Sequence, residues 1–384
     1  MNAEVIQNRL TVKDSRLILP NGIAYSLLVL PPENTMRPEI LKKITELVSA
    51  GAVIMGPKPE RSPSMENYPS ADKEVKKMAT ELWQNCDGKN VKMVHYGKGM
   101  VLNGMSMEEA FSLLKVIPDF KTSSGKSILY THRKTEDADI YFVSNQSDST
   151  LAISSQFRVA DKQPEWWNAT DGSIRNLPNF TQNKGSVIIP LKLVPSQSGF
   201  IIFRKKSETG SATANNFPEG KVIFTLKDPW RVMFDTAMRG PAKPVEFKRL
   251  DDWSKRPEDD IKYYSGVANY QTRFNVWNIP KDETIYLDLG NVEVMADVTL
   301  NGKSVGGVWT APWKVDITGL LQEGENDLKI KVVNTWVNRL IGDSKLPPEK
   351  RGTHADVNIY TPKSTLQPSG LLGPVTIKGV QLTK

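Results

Sequence analysis

The stretch VEVMADVTLNGKSVGGVWTAPWKVDITGLLQEGENDLKIKVVNTW, residues 292–336, decides the fold of the C-terminal part of the chain. Apolar and polar residues alternate on both sides of Asn301-Gly302, as in strands that bury one face. Both residues of this pair tolerate the positive φ of a type I′ turn, so the pair predicts a tight hairpin. The alternation predicts four strands, over 294–300, 303–308, 313–317 and 327–333. We therefore expect an antiparallel β domain rich in aromatic residues.

The same pattern extends in both directions and predicts one β-rich region over residues 228–384. Further strands are expected over 267–276, 284–289 and 374–378. After Asp343 comes a long polar loop with four prolines. Loops of this length in a compact β domain are usually functional or flexible, so this loop is a candidate functional segment.

Residues 121–227 contain no convincing helix and predict an antiparallel β-sandwich. Asn, Asp, Ser and Gly residues separate short runs of alternating polarity, which is the pattern of sandwich domains. Five strands are expected, over 127–130, 139–144, 151–159, 186–191 and 199–203.

Residues 1–120 alternate strands with helices and predict an α/β domain. Short apolar runs at 26–31 and 52–56 are expected to be strands buried on both faces. Strand–helix–strand units at this spacing imply right-handed crossovers and a parallel sheet.

Three helices are expected in this first region. Pro38 suits the first position of a helix that Gly51 can end. A second helix would bury one side that includes Val75. Ser106 and Glu109 fit the capping box that opens a third helix.

Composition and charge exclude several classes of protein. Hydrophobic residues make up 39% of the 384 residues and charged residues 24%, which is ordinary for a folded chain. The 50 basic and 43 acidic residues are interspersed, so the net charge of +7 marks no nucleic-acid surface. No run approaches the ~20 apolar residues of a membrane span. The single cysteine rules out a cysteine-rich zinc site, and no phosphate-binding glycine motif is present.

The first residues lack the features of a secretory signal, namely a basic start, an apolar run and a small-residue cleavage site. The alternating residues 12–19 and the turn at Asn21-Gly22 give a hairpin-like lead into the first apolar run. We expect the chain to be a piece of a longer protein.

Several ordered motifs of the third region carry a family resemblance. They are YYSGVANYQTRF at 263–274, NRLIGD at 338–343 and SGLLGPV at 369–375, together with the stretch quoted above. With them, the region resembles the galactose-binding-like jelly roll, a sugar-binding domain of family-2-type glycoside hydrolases.

Motifs of the first two regions carry a second resemblance. They include AGAVIMGPKPERSPSM at 50–65, YTHRKTEDADIYFVSNQS at 130–147 and QPEWWNATDGSI at 163–174. These motifs resemble the C-terminal, non-catalytic portion of bacterial α-L-rhamnosidases, which are multidomain glycoside hydrolases.

These resemblances imply a fold class and a catalytic partner domain. The fold class is α/β plus all-β: a flavodoxin- or amidotransferase-like parallel sheet over 1–120, a β-sandwich over 121–227 and a jelly roll over 228–384. The partner would be a catalytic barrel that carries the acid and base of the parent protein, which would be periplasmic or extracellular. No cofactor is implied, although a structural calcium is common on such jelly rolls.

Sugar recognition requires flat apolar rings and fixed polar groups. The candidates are six residues of the third region: Trp309, Trp313, Trp336, Asn338, Arg339 and Asp343. The tryptophans could equally pack in the core or at a corner, and Arg339 with Asp343 could be a local ion pair that pins the loop. Both interpretations stay open at this point.

Glycoside hydrolysis normally needs two carboxylates on opposite sides of the scissile bond. We assign no catalytic pair in this sequence. Asp251-Asp252 is interpreted as a turn that caps backbone N–H groups, and Glu165 as a solvated acid in a turn beside an aromatic corner. His132-Arg133 could bind sugar hydroxyls or satisfy loop carbonyls, and Cys86 is expected to be an inert thiol. We therefore expect an accessory region of a glycoside hydrolase that acts on plant polysaccharide. The alternatives are an independent carbohydrate-binding module and a self-sufficient glycosidase.

Overall fold

The computed structural model describes residues 1–123, 125–207, 215–227 and 229–381. Asp228, which opens the predicted third region, lies outside these described residues. The chain divides into two compact units, Met1–Ile117 and Pro118–Lys384. The described part is mostly β, with several sheets and few helices.

The first unit contains four helices and two small sheets. The helices are α1 Ala3–Asn8, α2 Pro38–Ala50, α3 Ser70–Trp83 and α4 Met107–Leu113. The strands are β1 Thr11–Lys13, β2 Arg16–Ile18, β3 Ala24–Tyr25, β4 Leu28–Val29, β5 Val53–Met55, β6 Met93–Tyr96 and β7 Gly99–Leu102. The antiparallel sheet has the order β1-β2-β3, and the second sheet has the order β4-β5-β7-β6.

The predicted parallel pairing is present, but the flavodoxin-like sheet is not confirmed. Strand β4 pairs in parallel with β5, and β5 with β7, whereas β6 runs antiparallel to β7. The run at 26–31 contributes only the two-residue strand β4. Val29 of this strand is 49% exposed, so the expectation that the run is buried on both faces was wrong.

The predicted helix signals of this unit are confirmed. Pro38 starts α2, which ends at Gly51 with a φ of 127°. Helix α3 buries Val75 and α4 begins with the expected capping box of Ser106 and Glu109. The apolar faces of α2 and α3 pack into one core with β5 and β7.

The described part of the middle β domain, residues 118–123 and 125–206, contains nine strands. They are β8 Phe120–Thr122, β9 Ile128–Lys134, β10 Asp139–Asn145, β11 Leu151–Phe157, β12 Lys162–Trp167, β13 Ile174–Asn176, β14 Thr181–Asn183, β15 Ser186–Leu193 and β16 Ser198–Lys206. Two antiparallel sheets, β13-β12-β16-β10-β9 and β14-β15-β11-β8, contribute to one shared core, as a sandwich requires.

Strand β12 corrects one expectation. Glu165 and the two tryptophans that follow it were predicted to lie in a turn, but they lie in this strand, paired with β13 and β16. Pro164 obscured the strand signal because proline cannot donate to a sheet ladder. The register shifts at this proline, between Gln163 and Pro164.

In the C-terminal β domain, the described residues 221–227 and 229–381 form twelve strands and two α-helices. The strands are β17 Lys221–Thr225, β18 Trp230–Phe234, β19 Val245–Phe247, β20 Val267–Val276, β21 Thr284–Asp288, β22 Asn291–Glu293, β23 Met295–Leu300, β24 Lys303–Val308, β25 Lys314–Asp316, β26 Gly324–Val333, β27 Gly370–Gly373 and β28 Thr376–Val380. The helices are α5 Asp259–Lys262 and α6 Val337–Ser344.

Two larger sheets form this domain around one core. Their orders are β17-β28-β21-β25 and β19-β18-β20-β26-β23-β24, and a small sheet pairs β22 with β27. The hairpin predicted at Asn301-Gly302 joins β23 to β24, with φ values of 51° and 78°. Strand β17 lies before the predicted boundary at residue 227, yet it pairs with β28 at the end of this domain.

Helix α6 was not predicted, because the sequence after Trp336 was interpreted as the opening of the loop. Val337, Leu340 and Ile341 follow helical spacing, and Ile341 is buried. In the sequence the helix lies between β26 and the 345–369 loop, and it carries three of the six predicted sugar-binding residues, Asn338, Arg339 and Asp343.

Candidate functional site

Asn338 ties helix α6 to the far end of the 345–369 loop. Its side chain is 1% exposed. Its amide donates to the carbonyl oxygen of Gln367 at 2.7 Å and to Ser369 Oγ at 3.0 Å, and its oxygen accepts from the Gln367 N–H at 2.8 Å. These hydrogen bonds occupy both sides of the amide, so Asn338 anchors the loop.

Asp343 anchors the same loop near its start. The residue is 2% exposed, and Oδ2 accepts from the backbone N–H of Gly352 and of Thr353, at 3.0 and 2.7 Å. Thr353 Oγ1 donates to the same oxygen at 2.6 Å. The loop is therefore held by buried side chains of α6 at both ends.

Arg339 joins this arrangement through a backbone contact. Its Nη2 donates to the carbonyl oxygen of Met238 at 3.2 Å. Burial lowers the pKa of Arg339, and the nearby carboxylate of Asp343 partly opposes that effect. Among the described residues Arg339 and Asp343 form no direct ion pair, so the hypothesis that such a pair pins the loop was wrong; the hydrogen bonds of Asp343 to Gly352 and Thr353 pin it instead.

The three tryptophans differ in accessibility. Trp336 is 57% exposed at the start of α6, and Trp309 is 52% exposed after β24. Trp313 is half-buried and packs against the core. Sugar binding through the exposed rings and Arg339 stays a prediction, while the hydrogen-bonding groups of Asn338 and Asp343 are used within the chain.

Of the adjacent acids, Asp252 caps backbone N–H groups as the sequence indicated, whereas Asp251 pairs with arginine side chains instead. Asp252 Oδ1 accepts from the backbone N–H of Ser254 and of Ser369, both at 3.0 Å. Asp251 pairs with Arg249 at 3.1 Å. Both carboxylates are therefore engaged within the chain, Asp252 by backbone N–H groups and Asp251 by an arginine.

Glu165 is buried, which corrects the expectation of a solvated acid. Its carboxylate accepts from Arg204 Nε at 2.8 Å and Trp167 Nε1 at 3.0 Å, and it pairs with Lys205 at 2.6 Å. Burial raises its pKa, but the hydrogen bonds from Arg204, Lys205 and Trp167 outweigh that effect and leave the pKa lowered. A general acid needs the opposite shift.

His132 has a partner that neither interpretation of the sequence anticipated. Its Nδ1 lies 3.0 Å from both carboxylate oxygens of Asp119, and Nε2 lies 3.3 Å from Asp139. The imidazole stacks on Tyr141 with ring centroids 4.0 Å apart. Asp119 precedes β8, so no local sequence pattern could have indicated this contact.

Cys86 is buried, as an inert thiol should be. It is 2% exposed, and burial raises its pKa. The described residues contain no group of three or more His, Cys, Asp or Glu side chains that could hold a metal ion. None of the helices described is long and apolar enough to cross a bilayer.

Two cavities stand out, and neither contains a buried carboxylate. One, of about 670 Å³, is lined by β11 and β15 of the middle β domain together with Phe217 and Glu219 from the segment after it, and Glu219 is exposed. The other, of about 650 Å³, lies in the first unit and includes Glu39 and Glu66. Their side chains are 47% and 70% exposed, so they lack the apolar surroundings of a general acid.

Comparisons with known proteins match both regions that carried the resemblances. A family model described as alpha-L-rhamnosidase matches residues 1–182. A model of the galactose-binding domain-like part of glycosyl hydrolase 2 matches residues 251–366. The solved structure of a rhamnosidase from Novosphingobium sp. PP1Y matches 99% of this chain, with a TM-score of 0.87 and 31% identity.

This chain is similar to α-L-rhamnosidases. It covers 36% of the Novosphingobium rhamnosidase chain. A protein of Formosa agariphila named as a β-glucuronidase is 24% identical over 615 aligned positions, which cover 96% of this chain and 52% of that protein. The chain thus spans about a third of one relative and about half of the other, and its C-terminal β domain is galactose-binding-like.

Proposed function

We propose that this chain is the accessory region of an α-L-rhamnosidase-type glycoside hydrolase that acts on plant polysaccharide. Its role is to support the catalytic barrel, and the parent protein is periplasmic or extracellular. The proposal rests on the comparison with the Novosphingobium rhamnosidase, in which nearly all of this chain matches only about a third of the other chain.

The carboxylates of the candidate sites described above support an accessory role for this chain. Glycoside hydrolysis needs one carboxylic acid with a raised pKa and a second carboxylate opposite it. Glu165 has a lowered pKa, and Asp252 binds backbone N–H groups. The acids of the two cavities are exposed to water.

An assay on an aryl α-L-rhamnoside tests the accessory role. The isolated chain should give no turnover above buffer, whereas the parent protein with its barrel should turn over the same substrate. Turnover by the isolated chain that disappears in Glu39→Gln or Glu66→Gln would establish a self-sufficient glycosidase and overturn the proposal.

The second candidate function is independent carbohydrate binding by the galactose-binding-like domain. The exposed rings of Trp309 and Trp336 favour it, because sugars bind to flat apolar surfaces. Calorimetry with rhamnose-containing pectic oligosaccharides tests it. Heat of binding that is lost in Trp336→Ala, but kept in Trp277→Ala, would support this function, since Trp277 is also exposed.

A further inference from the structure

The segments that line the cavity of about 650 Å³ in the first unit are connected by hydrogen bonds. It lies where α2 and α3 begin, and both helices bury their apolar faces in the core. The segment between β5 and α3 is fixed to the chain before α2, because Glu60 N donates to Asn34 O at 2.8 Å and Met36 N to Arg61 O at 3.1 Å. Asp72 also accepts from Ser62 N at 2.9 Å. The cavity walls are therefore tied together by backbone contacts.

An aromatic ring faces solvent at this cavity. Tyr68 lines the cavity and is 60% exposed. Most tyrosine rings in folded proteins bury much of their apolar surface, so a ring left this open offers a surface for another molecule. The cavity of about 670 Å³ has no such open ring at Phe217, because Arg175 covers the Phe217 ring at 4.9 Å and Trp166 packs on it edge-on.

Polar groups of both hydrogen-bonding types surround the ring. The Arg37 guanidinium contacts Glu39 Oε1 at 3.2 Å and Glu66 Oε2 at 3.4 Å. These two carboxylates hold the planar guanidinium in place, yet they occupy only part of its five donors. The carboxylates keep further acceptor sites for hydroxyl groups.

The charges of the cavity indicate the class of ligand. Arg37 and Lys42 face three acids, Glu39, Glu66 and Glu74, so the lining has no excess of positive charge. An anionic sugar would meet net repulsion, whereas neutral hydroxyls can donate to the acids and accept from the cations. The volume lies within the ~300–1,000 Å³ of small-molecule sites.

We propose that this cavity binds a neutral saccharide, with Tyr68 as the stacking surface and Arg37 with Glu66 as hydroxyl partners. All of its lining residues belong to the first unit, and none of them is among the six sugar-binding candidates predicted from the sequence. Only the choice of a rhamnoside as the first probe rests on the proposed function.

Titration of the whole chain with methyl α-L-rhamnopyranoside tests the proposal, by calorimetry and by saturation-transfer NMR. We expect saturable binding in the millimolar range, weakened about tenfold or more in Tyr68→Ala because one stacking face is lost. Tyr68→Phe should bind within about threefold of the wild type, and Arg37→Gln should weaken binding about tenfold. Tyr25→Ala is the matched control, since Tyr25 is an exposed tyrosine outside the cavity.

The anionic methyl galacturonate and the neutral methyl α-D-galactopyranoside separate charge from sugar identity. Binding of the galactoside alone supports a neutral-saccharide site and removes rhamnose as its ligand. Tighter binding of the galacturonate overturns the neutral class. No saturable binding of any of the three, or binding that Tyr68→Ala leaves unchanged, overturns the site.

These outcomes are separable from the accessory role. Failure of the accessory role appears as turnover of an aryl rhamnoside, which is a different measurement. Circular dichroism melting of each variant verifies folding, and Tyr68 and Arg37 are exposed side chains whose replacement leaves the core intact.

Discussion

Replacing Asp343 by alanine should release the start of the 345–369 loop while the rest of the chain stays folded. The buried carboxylate oxygen accepts three hydrogen bonds from Gly352 and Thr353. A hydrogen bond to a charged group contributes about 1.5–3 kcal/mol. Because Gly352 is exposed, water can replace one of the three, and two remain to be counted. The free energy of opening the loop should therefore fall by about 3 kcal/mol.

Limited trypsin digestion measures this opening, because the loop contains Lys345, Lys350 and Arg351 as cleavage sites. When opening is fast relative to cleavage, the rate follows the population of the open form, so 3 kcal/mol corresponds to about a hundredfold faster cleavage. Thr353→Val, which removes only one hydrogen bond, should accelerate cleavage by less than about tenfold. An Asp343→Ala chain cleaved at the wild-type rate, or cleaved everywhere at once, would refute the anchoring argument.

Three further changes test other parts of the structure. Gly370→Ala should lower the free energy of unfolding by about 3 kcal/mol, and with it the melting temperature, because φ is +103° and a Cβ would lie 2.5 Å from Trp253 Nε1. An unchanged melting temperature would contradict this packing. The backbone N–H groups of Val91, Lys89 and Asn90 lower the pKa of Asp87 from 3.8 to about 2. The contribution of the Asp87 carboxylate to stability is present above pH 3.8 and is lost as the pH falls toward 2. Between these pH values the melting temperature of Asp87→Asn should therefore fall less steeply with pH than that of the wild type. The same pH dependence in both proteins would contradict this role of Asp87. Cys86 should react with a thiol reagent only at the rate of unfolding, because the thiol is buried and its pKa is raised; rapid labelling in native buffer would contradict its burial.

Signals that act within a few residues were the ones that the sequence revealed. The capping box of Ser106 and Glu109, the helix start at Pro38 and the hairpin at Asn301-Gly302 are all present. In each case the physical cause is local, either a fixed φ or a short-range hydrogen bond. Element type was therefore predictable wherever the backbone itself imposes it.

Contacts between distant residues were not predictable in the same way. Asn338 and Asp343 looked like sugar ligands, but their partners come from the loop up to 31 residues away. Glu165 is buried because Arg204 and Lys205, on the neighbouring strand β16, compensate its charge. No spacing rule in a single sequence brings such partners together.

The cavity at Tyr68 was missed for a related reason. Its lining combines the starts of two helices with the segment between β5 and α3, and the tyrosine lies in an irregular stretch. An exposed aromatic residue in a polar segment was the available signal.

The pairing of β17 with β28 affects how the chain folds as it leaves the ribosome. Strand β28 lies between β17 and β21, so both of these strands are translated well before the strand that hydrogen-bonds them. Until residues 376–380 emerge, two strand edges of the nascent chain lack their partner and can pair with other chains. Chaperone binding to this growing polypeptide should therefore persist until β28 has emerged.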